Sequence, residues 1–374
     1  MIPLSVPNLK GNELSYVTSA IQEGWVSTGG KAIEEFEEKM SAYAGAKGGV
    51  ACQSGTAGIH LSLLVCGVKP GDEVIVPTLT FIAAVNPVRY AGAEPVFMDC
   101  DDTLCMDMDK LERFCREECR LVDGALIHQA TGRCVRAVVA VHVFGNIANM
   151  ERLMDIADAY CLKVVEDATE AVGSYVLQGR YQGRFAGTIG DMGVFSYNGN
   201  KIITTGGGGM IVSNHQELLE QARHLSTQAK VDAVRFTHDA VGYNYRMTNL
   251  QAAVGLAQLE ELDGFIEIKR RNYERYISRG VALLPFRADI RTNHWFYSYM
   301  TDRREELMAH LSSLGIQSRP IWYLIHQAPF YKDCLAYRIE KASYYWEHVL
   351  NIPCSTSLTP ADVDTVAEAI LSFE

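Results

Sequence analysis

A chain of 374 residues is long for one hydrophobic core and short for three, so a large domain with a smaller companion is expected. Hydrophobic residues make up 48%, enough for a well-buried interior, while a net charge of -11 with no basic run interleaved with aromatics excludes nucleic acid as a partner. No stretch approaches the ~18 apolar residues of a membrane span, and Met1 to Pro7 lacks a basic leader, so a soluble cytoplasmic protein with no membrane contact is expected.

In chain order, Glu13 to Glu23 reads as an amphipathic helix and Gly24 to Gly30 as a ligand-facing loop carrying Trp25, Thr28 and Gly29. Gly30-Lys31 is not a phosphate loop of the nucleotide triphosphatase kind, because Ala32 stands where Ser or Thr is needed. Lys31 to Tyr43 returns to helical spacing, with Ile33, Phe36 and Met40 on one face. Ser54-Gly55-Thr56 opens an apolar helix to about Cys66. A strand from Glu73 to Val76, a helix from Asn86 to Ala91 and a strand from Pro95 to Met98 follow. Leu111 to Cys119 reads as a charged helix, and Ile127 to Cys134 as a hairpin turning at Thr131-Gly132. Next come a strand from Arg136 to Val143, a helix from Met150 to Tyr160 and a strand from Leu162 to Glu166.

Such alternation implies an α/β domain with a mainly parallel sheet flanked by helices, in which ligands gather at the carboxyl ends of the strands. Thr248 to Gln251 is a capping box for a long helix running towards Tyr273. Beyond it, a strand from Trp295 to Met300, a helix from Arg304 to Leu314 and a closing segment from Pro353 to Phe373 make a smaller α+β unit. The expected division is 1–260 and 261–374.

The chemistry centres on Lys201. The apolar run Gly193-Val194-Phe195 delivers Ser196, Lys201 follows five residues later, and Gly206 to Gly209 leave room beside them. Val164-Val165-Glu166-Asp167 is a buried strand ending on a carboxylate, and Gly55 and Thr56 sit at a helix mouth. A lysine amine for an aldehyde, a carboxylate for a ring nitrogen and a helix N-terminus for a phosphate together fit pyridoxal phosphate.

The ordered set Ser54-Gly55-Thr56, Gly71 to Pro77, Thr80-Phe81, Gly92 to Phe97, Glu166-Asp167-Ala168, Ser196 with Lys201, and Gly242 to Met247 resembles the DegT-type nucleotide-sugar aminotransferases from Ile2 to the C-terminus. The resemblance implies a fold-type-I pyridoxal phosphate-dependent transferase. It makes Lys201 the catalytic residue that holds the cofactor and moves a proton, and Asp167 the partner of the ring nitrogen. Gly55, Thr56 and Ser196 would hold the phosphate, and Phe81 would stack on the ring. Glu170 stands near the ring hydroxyl where most of the family carries glutamine, and a carboxylate can donate there only when protonated. Asn244 would serve the phosphate of a partner subunit, which implies a homodimer with shared sites.

The Ile127–Cys134 hairpin, His142 to Asn146 and Thr204 to Gly209 are similar to the subgroup that aminates a UDP-linked 4-keto-6-deoxy-N-acetylhexosamine on the way to legionaminic-type sialic acids. That implies L-glutamate as amino donor and a UDP-keto-sugar as acceptor, with another keto-sugar nucleotide (3-keto or GDP-linked) or a non-catalytic, regulatory pyridoxal phosphate-binding protein as alternatives. Thr28, Gly29, His142, Tyr323 and His326 are the candidate substrate contacts. The ten cysteines contain no Cys-x-x-Cys and no histidine pair at ligand spacing, so free thiols and no metal are expected.

Overall fold

The structure, a computed structural model, describes all residues except Ala233 and Glu374. Helices α1 (Glu13–Gln22) and α2 (Lys31–Ala44) come first, and the expected stripe of Ile33, Phe36 and Met40 on α2 is fully buried. They are followed by β1 (Gly48–Cys52), α3 (Gly55–Val65), β2 (Glu73–Pro77), α4 (Asn86–Tyr90) and β3 (Glu94–Met98). Helix α5 (Met108–Glu117) leads through β4 (Cys119–Val122) and β5 (Ala125–His128) to β6 (Cys134–Val141), α6 (Met150–Tyr160) and β7 (Lys163–Asp167). Then come β8 (Tyr175–Val176), β9 (Met192–Ser196), β10 (Gly209–Ser213), α7 (Gln216–Ser226), β11 (Lys230–Asp232) and β12 (Thr237–His238).

The main sheet is ordered β1-β10-β9-β7-β6-β2-β3, with β5 added antiparallel beside β6. Its central strands are buried on both faces, as their runs of Val and Ile demand. From β9 to β3 the pairing is parallel, as expected, but β10 runs antiparallel to both β9 and β1. The reason is local. The segment from Tyr197 to Gly208 contains no crossover helix, and a chain that returns directly can only pair antiparallel. That returning segment is the one that carries Lys201.

Several element ends shift from the expected positions. The strand expected to reach Val143 stops at Val141, because Val143–Gly145 forms a 3-10 turn in which Phe144 takes a left-handed φ of 57°. Asp107 accepts the N–H groups of Asp109 and Lys110 and so starts α5 three residues before Leu111, which leaves Cys119 to begin β4. The strand expected from Trp295 begins at Tyr297.

The capping box at Thr248 and Gln251 starts α8 (Asn249–Ser278), whose 30 residues run on without a break past position 260. The expected boundary therefore falls inside a continuous helix. Beyond α8 lie β13 (Ile290–Arg291), β14 (Tyr297–Met300), α9 (Arg304–Ser313), β15 (Arg319–Pro320), β16 (Ala336–Tyr337), α10 (Lys341–His348), β17 (Val349–Ile352) and α11 (Pro360–Leu371). Strands β14, β17 and β15 form an antiparallel sheet of their own, while β16 joins the edge of the main sheet, parallel to β3. Asp99, fully buried just past β3, accepts the N–H groups of Glu340, Lys341 and Ala342 and the Nζ of Lys110. A carboxylate of the main sheet thus caps α10 and ties the C-terminal segment to it.

Candidate active site

Because β1, β7 and β9 share one direction, their carboxyl ends place α3, Asp167 and Ser196 at the same edge of the sheet. A cavity of about 240 Å³ opens there. One wall is the start of α3, where the Ser54 side chain caps the N–H of Ala57 at 3.1 Å. The N–H groups of Gly55 and Thr56 precede the helix's own ladder and face an anion-sized mouth. A side chain at 55 would press into the mouth, since a Cβ would lie 2.9 Å from Thr169 Cγ2 and 3.1 Å from Ser196 Cβ, and those side chains would have to give way. At the end of the glycine run, a Cβ on Gly209 would sit 2.6 Å from the Ser54 carbonyl carbon, so β10 can pass behind this mouth only as bare backbone.

Opposite α3 stand Asp167, Glu170 and Lys201, and Phe81, 54% exposed, forms part of the rim. Asp167 is buried, and one oxygen accepts the Thr169 N–H at 3.1 Å. Burial lifts its pKa above the ordinary carboxyl value, against the pull of the Thr169 bond and of Lys201. A protonated ring nitrogen placed beside such a carboxylate would favour its charged form. Lys201 Nζ lies 3.5 Å from Glu170 Oε1 and 4.2 Å from the centroid of Trp295. Trp295 also donates its indole N–H to the carbonyl of Asn200 at 2.8 Å, which fixes the lysine's segment. Trp295, expected at the start of a strand, carries no sequence signal for this place, because nothing local links it to a lysine 94 positions earlier.

The remaining candidates divide. Ser196 lines the cavity beside Gly55. Asn244 is exposed and lies outside the cavity of its own chain. Thr28 and Gly29 are exposed in a loop whose Trp25 and Ser27 carbonyls accept hydrogen bonds from Asn249. Tyr323 is half exposed, edge-on to Trp346. His326 Nδ1 is 2.6 Å from Thr78 Oγ1, bracing the loop that carries Phe81, and burial lowers its pKa.

His142 is corrected. It is completely buried, its Nδ1 accepts the Ala148 N–H at 3.2 Å, and its Nε2 is 2.8 Å from Glu166, so no ring nitrogen is left for a substrate. Glu166, fully buried, takes four donors in all: Gly187 and His142 on Oε2, and Ile189 and Gly190 on Oε1. Burial alone would raise its pKa, but the His142 bond and the backbone donors bring it below the ordinary 4.5. The backbone N–H of His142 also bonds the Asp167 carbonyl at 3.0 Å, so this buried pair braces the strand end that carries Asp167 and serves as the floor of the site.

A larger cavity of about 730 Å³, lined by Met308, Arg319 and Pro320 among others, holds no lysine and no pair of carboxylates. All ten cysteines are free. Among the described residues no cluster of His, Cys, Asp or Glu is arranged for a metal, and no helix is long and apolar enough to cross a membrane.

A lysine and a buried strand-end carboxylate facing a helix mouth, at the carboxyl edge of a mostly parallel sheet, fit a pyridoxal phosphate-dependent enzyme of fold type I. Residues 7–371 match the DegT/DnrJ/EryC1/StrS aminotransferase family, and the chain belongs to it. It is similar to the GDP-perosamine synthases of Caulobacter vibrioides, at 38% identity over 99% of this chain and 97% of that one, and of Escherichia coli O157:H7, at 36% over 100% and 98%. Among solved structures it resembles a DegT DnrJ EryC1 StrS aminotransferase from Brucella abortus, with a TM-score of 0.88, 27% identity and 97% and 95% of the two chains covered. The aminotransferase TlmJ from Streptoalloteichus hindustanus likewise gives 0.88, at 28% identity over 100% and 98%.

Proposed function

We propose that this enzyme transfers the amino group of L-glutamate to the 4-keto carbon of a GDP-linked 6-deoxy sugar, for the synthesis of a surface polysaccharide. The observation that carries the nucleotide is the similarity, over nearly the whole chain, to relatives named GDP-perosamine synthase. The UDP-linked acetamido sugar suggested by the sequence loses one of its supports. The β5–β6 hairpin lies at the amino ends of the strands, where the Thr131 hydroxyl donates to Glu73 Oε1 at 2.8 Å, on the far side of the sheet from Lys201.

Bound pyridoxal phosphate supplies an electron sink that stores the amine between the two halves of the reaction. In the proposed roles, Lys201 anchors it and carries a proton at Nζ, and Asp167 keeps the ring nitrogen protonated. The first turn of α3, with Ser196, receives the phosphate, and Phe81 covers one face of the ring. Asn244, exposed outside its own cavity, is assigned to the site of a second copy, so the working unit is a homodimer.

The test is a competition between the GDP-linked 4-keto-6-deoxy sugar, its 3-keto isomer and the UDP-linked 2-acetamido-4-keto sugar, each with glutamate as donor. The specificity constant is expected to be highest for the first. A higher value for the UDP sugar returns the assignment to the legionaminic-type reaction, and a higher value for the 3-keto isomer moves the site of amination.

A further inference from the structure

Glu170 is the one ionisable side chain of the cavity whose part in the reaction the roles above leave open. It is 4% exposed and aimed inward. Its Oε2 accepts the N–H of Phe144 at 2.9 Å, which turns Oε1 towards Lys201 Nζ, 3.5 Å away. The donor is itself held firmly: Phe144 sits in the left-handed turn after β6, its ring packed on Trp322 at 4.7 Å and Phe296 at 5.5 Å. The backbone of Glu170 is pinned too, its carbonyl accepting the side-chain amide of Asn293 at 2.9 Å.

Three ionisable groups line the cavity: Lys201, Asp167 and Glu170. His142 does not line it, and its Nε2 is engaged by Glu166. One base therefore faces two acids, in a site that must also take a phosphate. With both carboxyls ionised, the cavity would carry a surplus of buried negative charge, which is costly. The carboxyl that takes up a proton is the one without a ring nitrogen to face.

We propose that Glu170 is a second catalytic residue, which exchanges a proton with Lys201 Nζ. When the proton passes from Nζ to Oε1, the ammonium becomes an amine and the carboxylate becomes an acid. The charge of the cavity is unchanged. Lysine is nucleophilic and basic only as the free amine, and a solvated lysine with a pKa of about 10.4 is not in that form near neutrality. The reverse transfer restores the ammonium. Burial, acting against the attraction of Lys201, places the Glu170 carboxyl at about 7, where it can both take and return a proton.

This inference rests on the transamination chemistry of the family and is independent of which nucleotide sugar is bound, so its test uses the holoenzyme without sugar. The visible absorbance of the bound cofactor is titrated in the parental protein, in Glu170→Gln and in Glu170→Asp. The parental and Asp proteins should show a titration step near pH 7 that is absent from Glu170→Gln. In parallel, the infrared carbonyl band of a protonated carboxyl should disappear from the parental holoenzyme as pH rises through that range. A step that survives unchanged in Glu170→Gln overturns the proposal. So does a parental protein with no such carbonyl band, an outcome that can be read even if the Gln variant fails to load cofactor.

Discussion

Replacing Glu166 by Gln tests whether the floor of the site is held by a carboxylate. The four donors on Glu166 come from Gly187, Ile189, Gly190 and His142, and every one of them is matched by a carboxylate lone pair. Glutamine keeps one oxygen, enough for Ile189 and Gly190, but turns an amide N–H₂ towards the N–H of Gly187 and towards His142 Nε2. Histidine cannot escape by moving its proton, because Nδ1 would then face the N–H of Ala148. At least two buried donors are left without acceptors, at about 1–3 kcal/mol each, or about 4 kcal/mol together. An unfolding entropy of roughly 2.1 cal/mol/K per residue gives about 0.8 kcal/mol/K for a chain of this length, so the thermal midpoint should fall by about 5 °C. The assay is thermal unfolding of parental and variant holoenzyme at equal concentration, with cofactor loading recorded alongside. A midpoint within about 1 °C of the parent would show that the four bonds are not what holds this floor.

Further outcomes follow from the same geometry. Lys201→Ala should abolish turnover and leave cofactor that is removed by gel filtration, whereas the parental protein stays yellow; amination at the parental rate would remove Lys201 from the catalytic role. Gly55→Ala adds a methyl group 2.9 Å from Thr169 and 3.1 Å from Ser196, so cofactor affinity should fall by about tenfold or more with little change in fold, and an unchanged dissociation constant would deny that this helix mouth holds the phosphate. Mixing inactive Lys201→Ala with weakened Asn244→Ala protomers should restore activity in heterodimers, where one site keeps both residues. No recovery, with heterodimers confirmed, would place Asn244 in its own subunit's chemistry or in none.

How much of this protein can be read from its sequence depends on how far apart the interacting groups lie along the chain. The capping box at Thr248, the stripe on α2 and the alternation of elements from α3 to β7 involve residues within a turn or a strand of each other, and they were legible to within a few positions. The site's chemical groups were legible for a related reason: Lys201, Asp167, Ser196 and the α3 mouth all follow strand ends, and a mostly parallel sheet brings such ends to one edge. Packing decided the rest. The pairing of β10 with β1, the capture of β16 by β3 and the stacking of Trp295 over Lys201 join segments far apart in the chain, with no local pattern to announce them. His142 shows the limit most plainly. Its residue type and its place after a strand suggest a ligand, but the loop from Gly187 to Gly190 supplies N–H groups that turn Glu166 into a buried anion, and that anion claims the imidazole. Sequence names the groups able to do chemistry, and the tertiary structure decides which of them are already satisfied, because a buried polar group must be paired within the protein before it can serve anything else.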